Sequence, residues 1–344
     1  DSNGQIVRTK AALKRVCVDA ATELLTTEGW RPHADVVKGM RIYEYVPGAR
    51  KLRVGAVRAV HRYDSESECL HYSNAQLSMV VTPEHRVLVR RRLTRRGRPA
   101  LFLPPELIRA DALRTSHYLV RPVAYSMRPT LSDDLVRLCA WVMAEGSYSH
   151  PGQIRVSQST RVNAPYVASL NALADRLGLA QSQPGPRAMA LWVLRGDLAA
   201  LVRLLMPDKN IGPTLWQRLS ANQLRLFLYE FARGDGHWNH HPGAWWAPEP
   251  PPRFWRSLAN FFFQSTITLT QRSEQAGHAL QAVATLAGIG SRLTHPPGRW
   301  SLSLSNHRRL TAVSSLRRET ISVPFVWCPE TDTGTWVARR NGMV

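Results

Sequence analysis

The spacing of hydrophobic and polar residues divides the chain into three stretches of different character. Residues 18–90 contain short apolar runs and alternations broken by turn residues near Gly29, Gly39 and Pro83, a pattern that predicts a small all-β module. Residues 310–344 return to this pattern and include an Asn341-Gly342 turn. Between the first strands and the middle of the chain, residues 90–99 are rich in arginine, and we expect a basic loop there.

The middle of the chain predicts helices that alternate with strands, in an order that occurs twice. In each copy an apolar helix ends in an acid-Gly pair, and a strand and a second helix follow: 133–145, 153–158 and 164–177, then 224–234, 265–271 and 275–287. Ser132 is the expected N-cap of the first helix, and Gly146 ends it. We therefore expect a duplicated α/β unit whose second copy carries an exposed insertion over 237–252.

The charge of the chain indicates a polyanionic partner. Lys and Arg number 45 against 25 Asp and Glu, a net charge of +20, and the pI is 10.9. Phosphate backbones are the simplest partner for such an excess. A membrane is less favoured, because the basic residues are spread along the chain and no apolar run is long enough to span a bilayer. With no signal-peptide core, we expect a cytoplasmic protein from a bacterial or phage context.

Four cysteines, none in a C-x-x-C pair, give no indication of a zinc knuckle or a disulfide framework. Glu145 and Asp235 are the residues with the clearest candidate chemistry. Small residues at Ala140 and Ala144 share one helix face, so two such helices can pack closely and bring both acids together. Paired carboxylates bind divalent metal, usually Mg²⁺, which activates water for phosphodiester hydrolysis. The alternative is that each acid simply terminates a helix.

Two segments, Leu138-Cys-Ala-Trp-Val-Met-Ala-Glu-Gly146 and Leu228-Tyr-Glu-Phe-Ala-Arg-Gly-Asp-Gly236, resemble the paired motifs of LAGLIDADG homing endonucleases. The resemblance implies that Glu145 and Asp235 are catalytic and hold Mg²⁺, and that Lys209 in Pro207-Asp-Lys-Asn-Ile211 assists; a solvated loop lysine is the alternative. It also implies a monomer that contacts double-stranded DNA through the strands after each motif: Arg155, Gln158, Arg161, Thr268, Gln271 and Arg272. Glu230 departs from the motif, where Gly or Ala is usual, and predicts looser helix packing.

The flanks resemble the blocks of an intein, the protein-splicing domain with the Hint fold. Cys17-Val-Asp-Ala-Ala is similar to its N-terminal block, Val80-Val-Thr-Pro-Glu-His-Arg-Val87 to its Thr-x-x-His block, and Val323-Pro-Phe-Val-Trp-Cys328 to its penultimate block. The resemblance implies that Cys17 attacks its preceding carbonyl and that Thr82 and His85 activate that peptide, with a His85 pKa near neutrality. Cys328 stands where inteins usually have Asp; it could assist the N-terminal step, act as a branching nucleophile, or be inert. A buried thiol at Cys17 and a strand histidine at His85 are the alternatives.

The expected fold class is thus mixed: an all-β Hint-type splicing domain, split in sequence, plus an α/β LAGLIDADG endonuclease domain with pseudo-twofold symmetry. The expected segments are an N-extein remnant at 1–16, splicing segments at 17–125 and 311–344, and an endonuclease at 126–310 with repeats at 130–206 and 207–310. The host protein would supply the exteins.

Because the printed sequence stops at Val344 without a terminal Asn and a following nucleophile, we expect it not to complete splicing as given, although Val16–Cys17 cleavage remains open. The alternative function is an autocleaving module with a decayed LAGLIDADG domain that binds DNA or RNA without cutting it.

Overall fold

A computed structural model describes residues 16–49, 51–95, 98–121, 124–125, 127–150, 152–182, 188–239, 266–305 and 310–344. The chain forms two compact units, one of residues 1–123 and 307–344 and the other of residues 124–306. The described part is mostly β-sheet with few helices. Most of the expected insertion and of the expected N-extein remnant lies outside the described residues. No helix in the described ranges is both long and apolar enough to cross a membrane.

In its described residues the first unit contains sixteen strands and two short 3₁₀ turns, Ala110–Ala112 and Val313–Ser315. Its strands, numbered along the whole chain, are β1 (Val18–Asp19), β2 (Thr22–Thr26), β3 (Gly29–Arg31), β4 (Arg41–Val46), β5 (Lys51–Ala56), β6 (Ala59–Tyr63), β7 (Ser67–Asn74), β8 (Leu77–Val81), β9 (Arg86–Arg95), β10 (Arg98–Phe102), β11 (Glu106–Arg109), β12 (His117–Val120), β21 (Leu310–Ala312), β22 (Arg317–Val323), β23 (Val326–Glu330) and β24 (Ala338–Arg340).

These strands form three antiparallel sheets. The six-stranded sheet has the order β22-β7-β8-β1-β23-β6, the second has β10-β9-β12-β21 with β11 also on β9, and the third has β24-β2-β4-β5 with β3 on β2. β1 lies between β8 and β23, so the first described residues and a strand near the end of the chain are neighbours in one sheet. Alternating apolar residues such as Leu24, Val89 and Trp327 meet in the core. The β-rich ends predicted from the sequence are confirmed.

The expected basic loop at 90–99 is wrong as a structural prediction. β9 continues through this stretch and pairs with β10 as an antiparallel hairpin with an irregular register. Branched and apolar residues within the arginine run, such as Val89 and Leu93, keep the alternation that a strand requires. The arginines that the structure describes in this stretch therefore stand on a sheet and not on a loop.

The second unit repeats one set of elements. Its first copy contains α1 (Asp133–Glu145), β13 (Gly146–His150), β14 (Gln153–Ser159), α2 (Ala164–Leu177), β15 (Ala180–Ser182) and β16 (Met189–Leu194). The helices α3 (Gly196–Leu205) and α4 (Pro213–Trp216) connect it to the second copy. That copy contains α5 (Ala221–Asp235), β17 (Gly236–Asn239), β18 (Thr266–Gln271), α6 (Glu274–Leu286), β19 (Gly290–Thr294) and β20 (Trp300–Ser305).

Both copies have the same sheet order, β13-β14-β16-β15 and β17-β18-β20-β19. This matching order confirms the predicted internal repeat. In β14 the buried residues alternate with partly exposed ones, so one face of the sheet packs inward and the other faces out. β18 follows the same rule, with Ile267 and Leu269 buried.

Glu230 does not loosen the packing of α1 against α5, contrary to the sequence expectation. Its side chain is 2 % exposed and forms ion pairs with Arg137 of α1 and Arg233 of its own helix. Trp141 of α1 donates an indole N–H to the same carboxylate at 3.0 Å. A buried carboxylate is tolerated when it is paired and hydrogen-bonded, and here its partners come from both helices.

Candidate active sites

The two candidate acids occupy equivalent positions at the ends of α1 and α5. Ser132 accepts a hydrogen bond from the Leu135 N–H, and Ser220 forms a capping box with Gln223, so both helices begin at side-chain caps. Each helix then runs directly into a strand at glycine. A Cβ on Gly146 would lie 2.3 Å from the Val142 carbonyl oxygen, and one on Gly236 would lie 2.4 Å from that of Ala232.

A third glycine permits the two helix ends to approach each other. A Cβ on Gly234 would lie 2.7 Å from the Ala144 Cβ and 3.6 Å from the Glu145 Cγ. The small residues before each acid therefore face each other across the α1–α5 interface. This close approach explains why both residues that precede the acids are small.

A glutamine holds each acid, and the two glutamines occupy equivalent positions near the ends of β14 and β18. The Gln158 amide donates to Glu145 at 3.3 Å, and the Gln271 amide donates to Asp235 at 2.9 Å. Gln158 is 4 % exposed, and its Oε1 accepts from the Ser159 N–H and the Asn163 amide. Both glutamines therefore contact a candidate acid, and the DNA contact expected for them stays a prediction.

Lys209 lies beside this pair of acids. Its Nζ donates to the Gly146 carbonyl oxygen at 2.9 Å, and its backbone adopts a left-handed conformation with φ of 58°. Its N–H donates to the Met206 carbonyl, whose oxygen also accepts from the Tyr148 hydroxyl at 2.8 Å. A lysine in this rarely populated conformation is held by its surroundings, which is unlike a solvated loop lysine.

Glu145, Asp235 and Lys209 interact electrostatically. Partial burial and the nearby Asp235 raise the pKa of Glu145, while Gln158 and Lys209 oppose the rise. Partial burial also raises the pKa of Asp235, against the effects of Gln271 and Lys209. Two carboxylates that repel each other and offer hard oxygen donors suit a divalent cation such as Mg²⁺. Among the described residues no cluster of three or more His, Cys, Asp or Glu could hold a metal, so the remaining ligands would come from substrate or water.

The other residues expected to contact DNA lie outside the helix interface. Arg155 and Thr268 stand at partly exposed positions of β14 and β18, between buried neighbours on each side. Arg161 and Arg272 are exposed just after these two strands. The outer faces of the two sheets thus present the side chains that a phosphate backbone or base edge would meet.

The first unit assembles the second group of candidate residues around Cys17. Val18 pairs with Val81 on one side and with Trp327 on the other, so Cys17 faces Thr82 and Cys328 one residue further along. The Cys17 N–H donates to the Thr82 hydroxyl at 3.0 Å, and the Thr82 N–H donates to the Cys17 carbonyl at 3.1 Å. Cys17 is 1 % exposed and packs in a small cluster with Cys69 and, partly, Cys328.

His85 lies against the peptide bond that precedes Cys17. Burial lowers the pKa of its imidazole to about 4, against the opposing effect of the nearby backbone of Val16 and Cys17. The expectation of a pKa near neutrality is therefore wrong, because the ring is desolvated. Its Nδ1 is buried without a hydrogen-bond partner in the described part of the chain. At neutral pH the imidazole is uncharged and can accept a proton.

Sequence patterns did not indicate two contributors to this site. Cys69 is fully buried beside Cys17, and burial together with Asp19 and Glu68 raises its pKa to about 11. Asp19 accepts from Arg340 at 2.9 Å and from Thr22 at 2.7 Å, which ties β1 to β24 and β2. Cys328 resembles Cys69 as a poor nucleophile, since burial and Glu330 raise its pKa to about 11. Only strand pairing brings these distant residues together.

Comparisons with known proteins give weak similarities of structure. No family model matches the chain, and no curated protein matches it. Among solved structures, 42 chains match. They include the N-terminal LAGLIDADG domain of DUF199/WhiA, which is 12 % identical with a TM-score of 0.30 over 52 % of this chain and 80 % of that one.

A second match is the homing endonuclease I-DmoI in complex with DNA and Ca, 9 % identical with a TM-score of 0.33 over 52 % of this chain and 85 % of that one. A third is a DnaB intein from Synechocystis sp. PCC 6803, 14 % identical with a TM-score of 0.25 over 31 % of this chain and 68 % of that one. Scores this low establish no family for this chain.

Proposed function

We propose that the second unit is a metal-dependent endonuclease that cuts both strands of duplex DNA, as LAGLIDADG homing endonucleases do. The observation that carries the proposal is the matched pair of acids. Glu145 and Asp235 end adjacent helices, each is held by the equivalent glutamine of its repeat, and Lys209 acts on both. Two equivalent acids suit a substrate with two antiparallel strands.

Each group has a separate role in this chemistry. When bound, Mg²⁺ would supply charge stabilisation to the scissile phosphate and a more acidic water. Glu145 and Asp235 would hold it, while Gln158 and Gln271 keep the two carboxylates aimed and ionised. Lys209, fixed through Gly146, places a positive charge where negative charge grows as the phosphorus–oxygen bond breaks.

The outer faces of the two sheets are the proposed DNA-contact surface of this unit. Arg155 and Thr268 stand on these faces, and Arg161 and Arg272 stand beside them. The arginines would contact phosphates or guanine edges and Thr268 a base or phosphate, which fits a chain with a net charge of +20.

Residues 17–125 and 311–344, nearly all of them in the first unit, are proposed to form a self-processing module of the intein type, with residues 1–16 as the preceding extein segment. The supporting observation is the contact of Thr82 and His85 with the backbone at Cys17. The Cys17 sulfur would attack the Val16 carbonyl carbon, forming a C–S bond. Neutral His85 would take the thiol proton and deliver it to the Cys17 nitrogen as the C–N bond breaks.

Cleavage of a plasmid library with randomised inserts tests the nuclease. With Mg²⁺ we expect double-strand breaks at one recurring sequence, found by capturing and sequencing the broken ends, and none with EDTA. Absence of breaks with Mg²⁺ or Mn²⁺, despite DNA binding, would favour the alternative of a decayed, non-cleaving domain.

Thiol-induced cleavage tests the first unit independently. Dithiothreitol should attack the thioester and release residues 1–16, a loss that mass spectrometry detects. Cys17→Ala should abolish the cleavage, while Cys139→Ala, which changes a buried cysteine of the other unit, should leave it unchanged. Intact wild-type chain under these conditions would contradict the proposal.

A further inference from the structure

The outer face of the sheet that contains β9 is a second strongly basic surface, separate from the second unit. Residues 86–98 contain seven arginines and no acidic residue. Val87 and Val89 of β9 pack into the core together with Leu119 of β12. Because side chains alternate along a strand, Arg86, Arg90 and Arg92 share the opposite face.

These three arginines lack acidic partners. None of them forms an ion pair with any residue that the structure describes, whereas Arg58, Arg109 and Arg317 of the same unit each do. Uncompensated charges in a row repel one another and are stabilised by an external polyanion. Among the described residues this face therefore carries three neighbouring arginines of one strand without an acidic partner.

Contacts on this face hold the guanidinium groups of Arg90 and Arg92 in place. Arg90 donates to the carbonyl oxygens of Leu103 and Phe102 at 2.7 and 2.8 Å and lies over the Phe102 ring. Arg92 donates to the Tyr118 hydroxyl at 3.1 Å, and Phe102 and Tyr118 meet edge to face with ring centroids 5.0 Å apart. Each guanidinium retains further N–H groups for an acceptor, at little additional cost in side-chain entropy.

The length of the row fits duplex DNA. Arg86 and Arg92 are six residues apart on one strand, which corresponds to about 20 Å at about 3.3 Å per residue. That length matches about six base-pair steps along a duplex, which carries a negative charge about every 1.7 Å. A rigid, straight row of cations suits a rigid rod of phosphates better than a flexible single strand.

We propose that this face of β9, defined by Arg86, Arg90 and Arg92, binds the phosphate backbone of duplex DNA, so that the first unit contributes DNA affinity to the endonuclease. The inference takes its partner from the proposed function, but it assigns that partner to a different surface. Contacts of this kind add affinity without sequence preference.

Salt-dependent binding of a labelled 40-base-pair duplex to the full chain tests the inference without relying on cleavage. Arg86→Gln with Arg92→Gln should weaken binding at least 10-fold at 0.1 M KCl and should lower the slope of log K against log [KCl] by about 2, since each lost phosphate contact lowers it by about 1. Arg90 is left unchanged because it holds the hairpin.

The matched control is Arg58→Gln with Arg317→Gln, which removes the same charge from the same unit at positions paired with acids. It should change the slope by much less, and both double variants should melt within a few degrees of the wild type. An unchanged slope for Arg86→Gln with Arg92→Gln would overturn the inference while leaving the nuclease intact. An equal loss of DNA affinity in both double variants, or tighter binding of an RNA duplex than of the DNA duplex, would also overturn it. The expected slope change in a chain that does not cleave DNA would refute only the nuclease.

Discussion

Lys209 donates its ammonium group to the carbonyl oxygen of Gly146 at 2.9 Å, one residue beyond the first candidate acid. This contact fixes a positive charge that opposes the rise in the pKa of both Glu145 and Asp235. It also connects a loop between the two repeats to the site that both repeats build.

Lys209→Met should slow DNA cleavage by about 100-fold, the usual effect of removing one group that stabilises transition-state charge. Without the cation the pKa values of both acids rise further, so the acidic limb of the pH–rate profile should move to higher pH. Lys38→Met, a lysine on the first unit, is the control. A slower enzyme with an unmoved profile would contradict the electrostatic role.

Gln158→Ala and Gln271→Ala should each move the acidic limb of the pH–rate profile to higher pH. Each amide stabilises the ionised form of its acid, so its removal leaves that carboxyl protonated, and unable to hold metal, over a wider pH range. Gln181→Ala, at an exposed glutamine of the second unit, is the control. Equal rates for wild type and both variants between pH 5 and 8 would argue against the positioning role.

Glu230→Ala should destabilise the chain by about 3–5 kcal/mol, because it leaves the partly buried cations Arg137 and Arg233 without a partner. Removing the exposed Arg176–Asp134 pair with Arg176→Ala should cost less than about 1 kcal/mol. Urea unfolding followed by tryptophan fluorescence measures both. Similar costs for the two variants would mean that Glu230 does not join the helices.

His85 predicts a specific loss of stability in acid. Its pKa falls from 6.5 to about 4 on folding, so between these values the unfolded chain binds more protons and stability decreases as pH falls. The full effect of such a shift is about 3 kcal/mol, present above pH 6.5 and lost by pH 4.

His85→Gln should flatten this part of the unfolding free energy between pH 7 and 4.5. Burial also lowers the pKa values of His71 and His117, but both remain in the variant, so the difference between the two chains isolates His85. Parallel curves for wild type and His85→Gln would contradict the assigned pKa.

Local sequence was sufficient to predict the helices and strands that depend on caps, turns and the alternation of apolar residues. The caps, the acid-Gly ends and the alternation of β14 predicted the helices and strands of the second unit, but the contact of each repeated glutamine with its acid was not predicted. Burial was not visible locally. The pairing of Glu230 with Arg137, the low pKa of His85 and the packing of Cys69 beside Cys17 all depend on residues that are distant in sequence.

The arginine run at 90–99 also shows that local sequence does not determine tertiary structure. Its charge suggested a solvated loop, but tertiary pairing of β9 with three other strands overrode that tendency. The arginine side chains still lie on a surface, and the sheet determines how they are spaced.

Cleavage of the recovered target duplex by Glu145→Gln and Asp235→Asn, measured beside wild type in Mg²⁺, tests the central claim most directly. Both neutral variants should bind the duplex as wild type does and lose at least 1000-fold in the rate of double-strand breakage. Glu274→Gln and Asp175→Asn, at other acids of the same unit, should cut normally. Double-strand cleavage at the wild-type rate by either Glu145→Gln or Asp235→Asn would contradict the assignment of the acid pair.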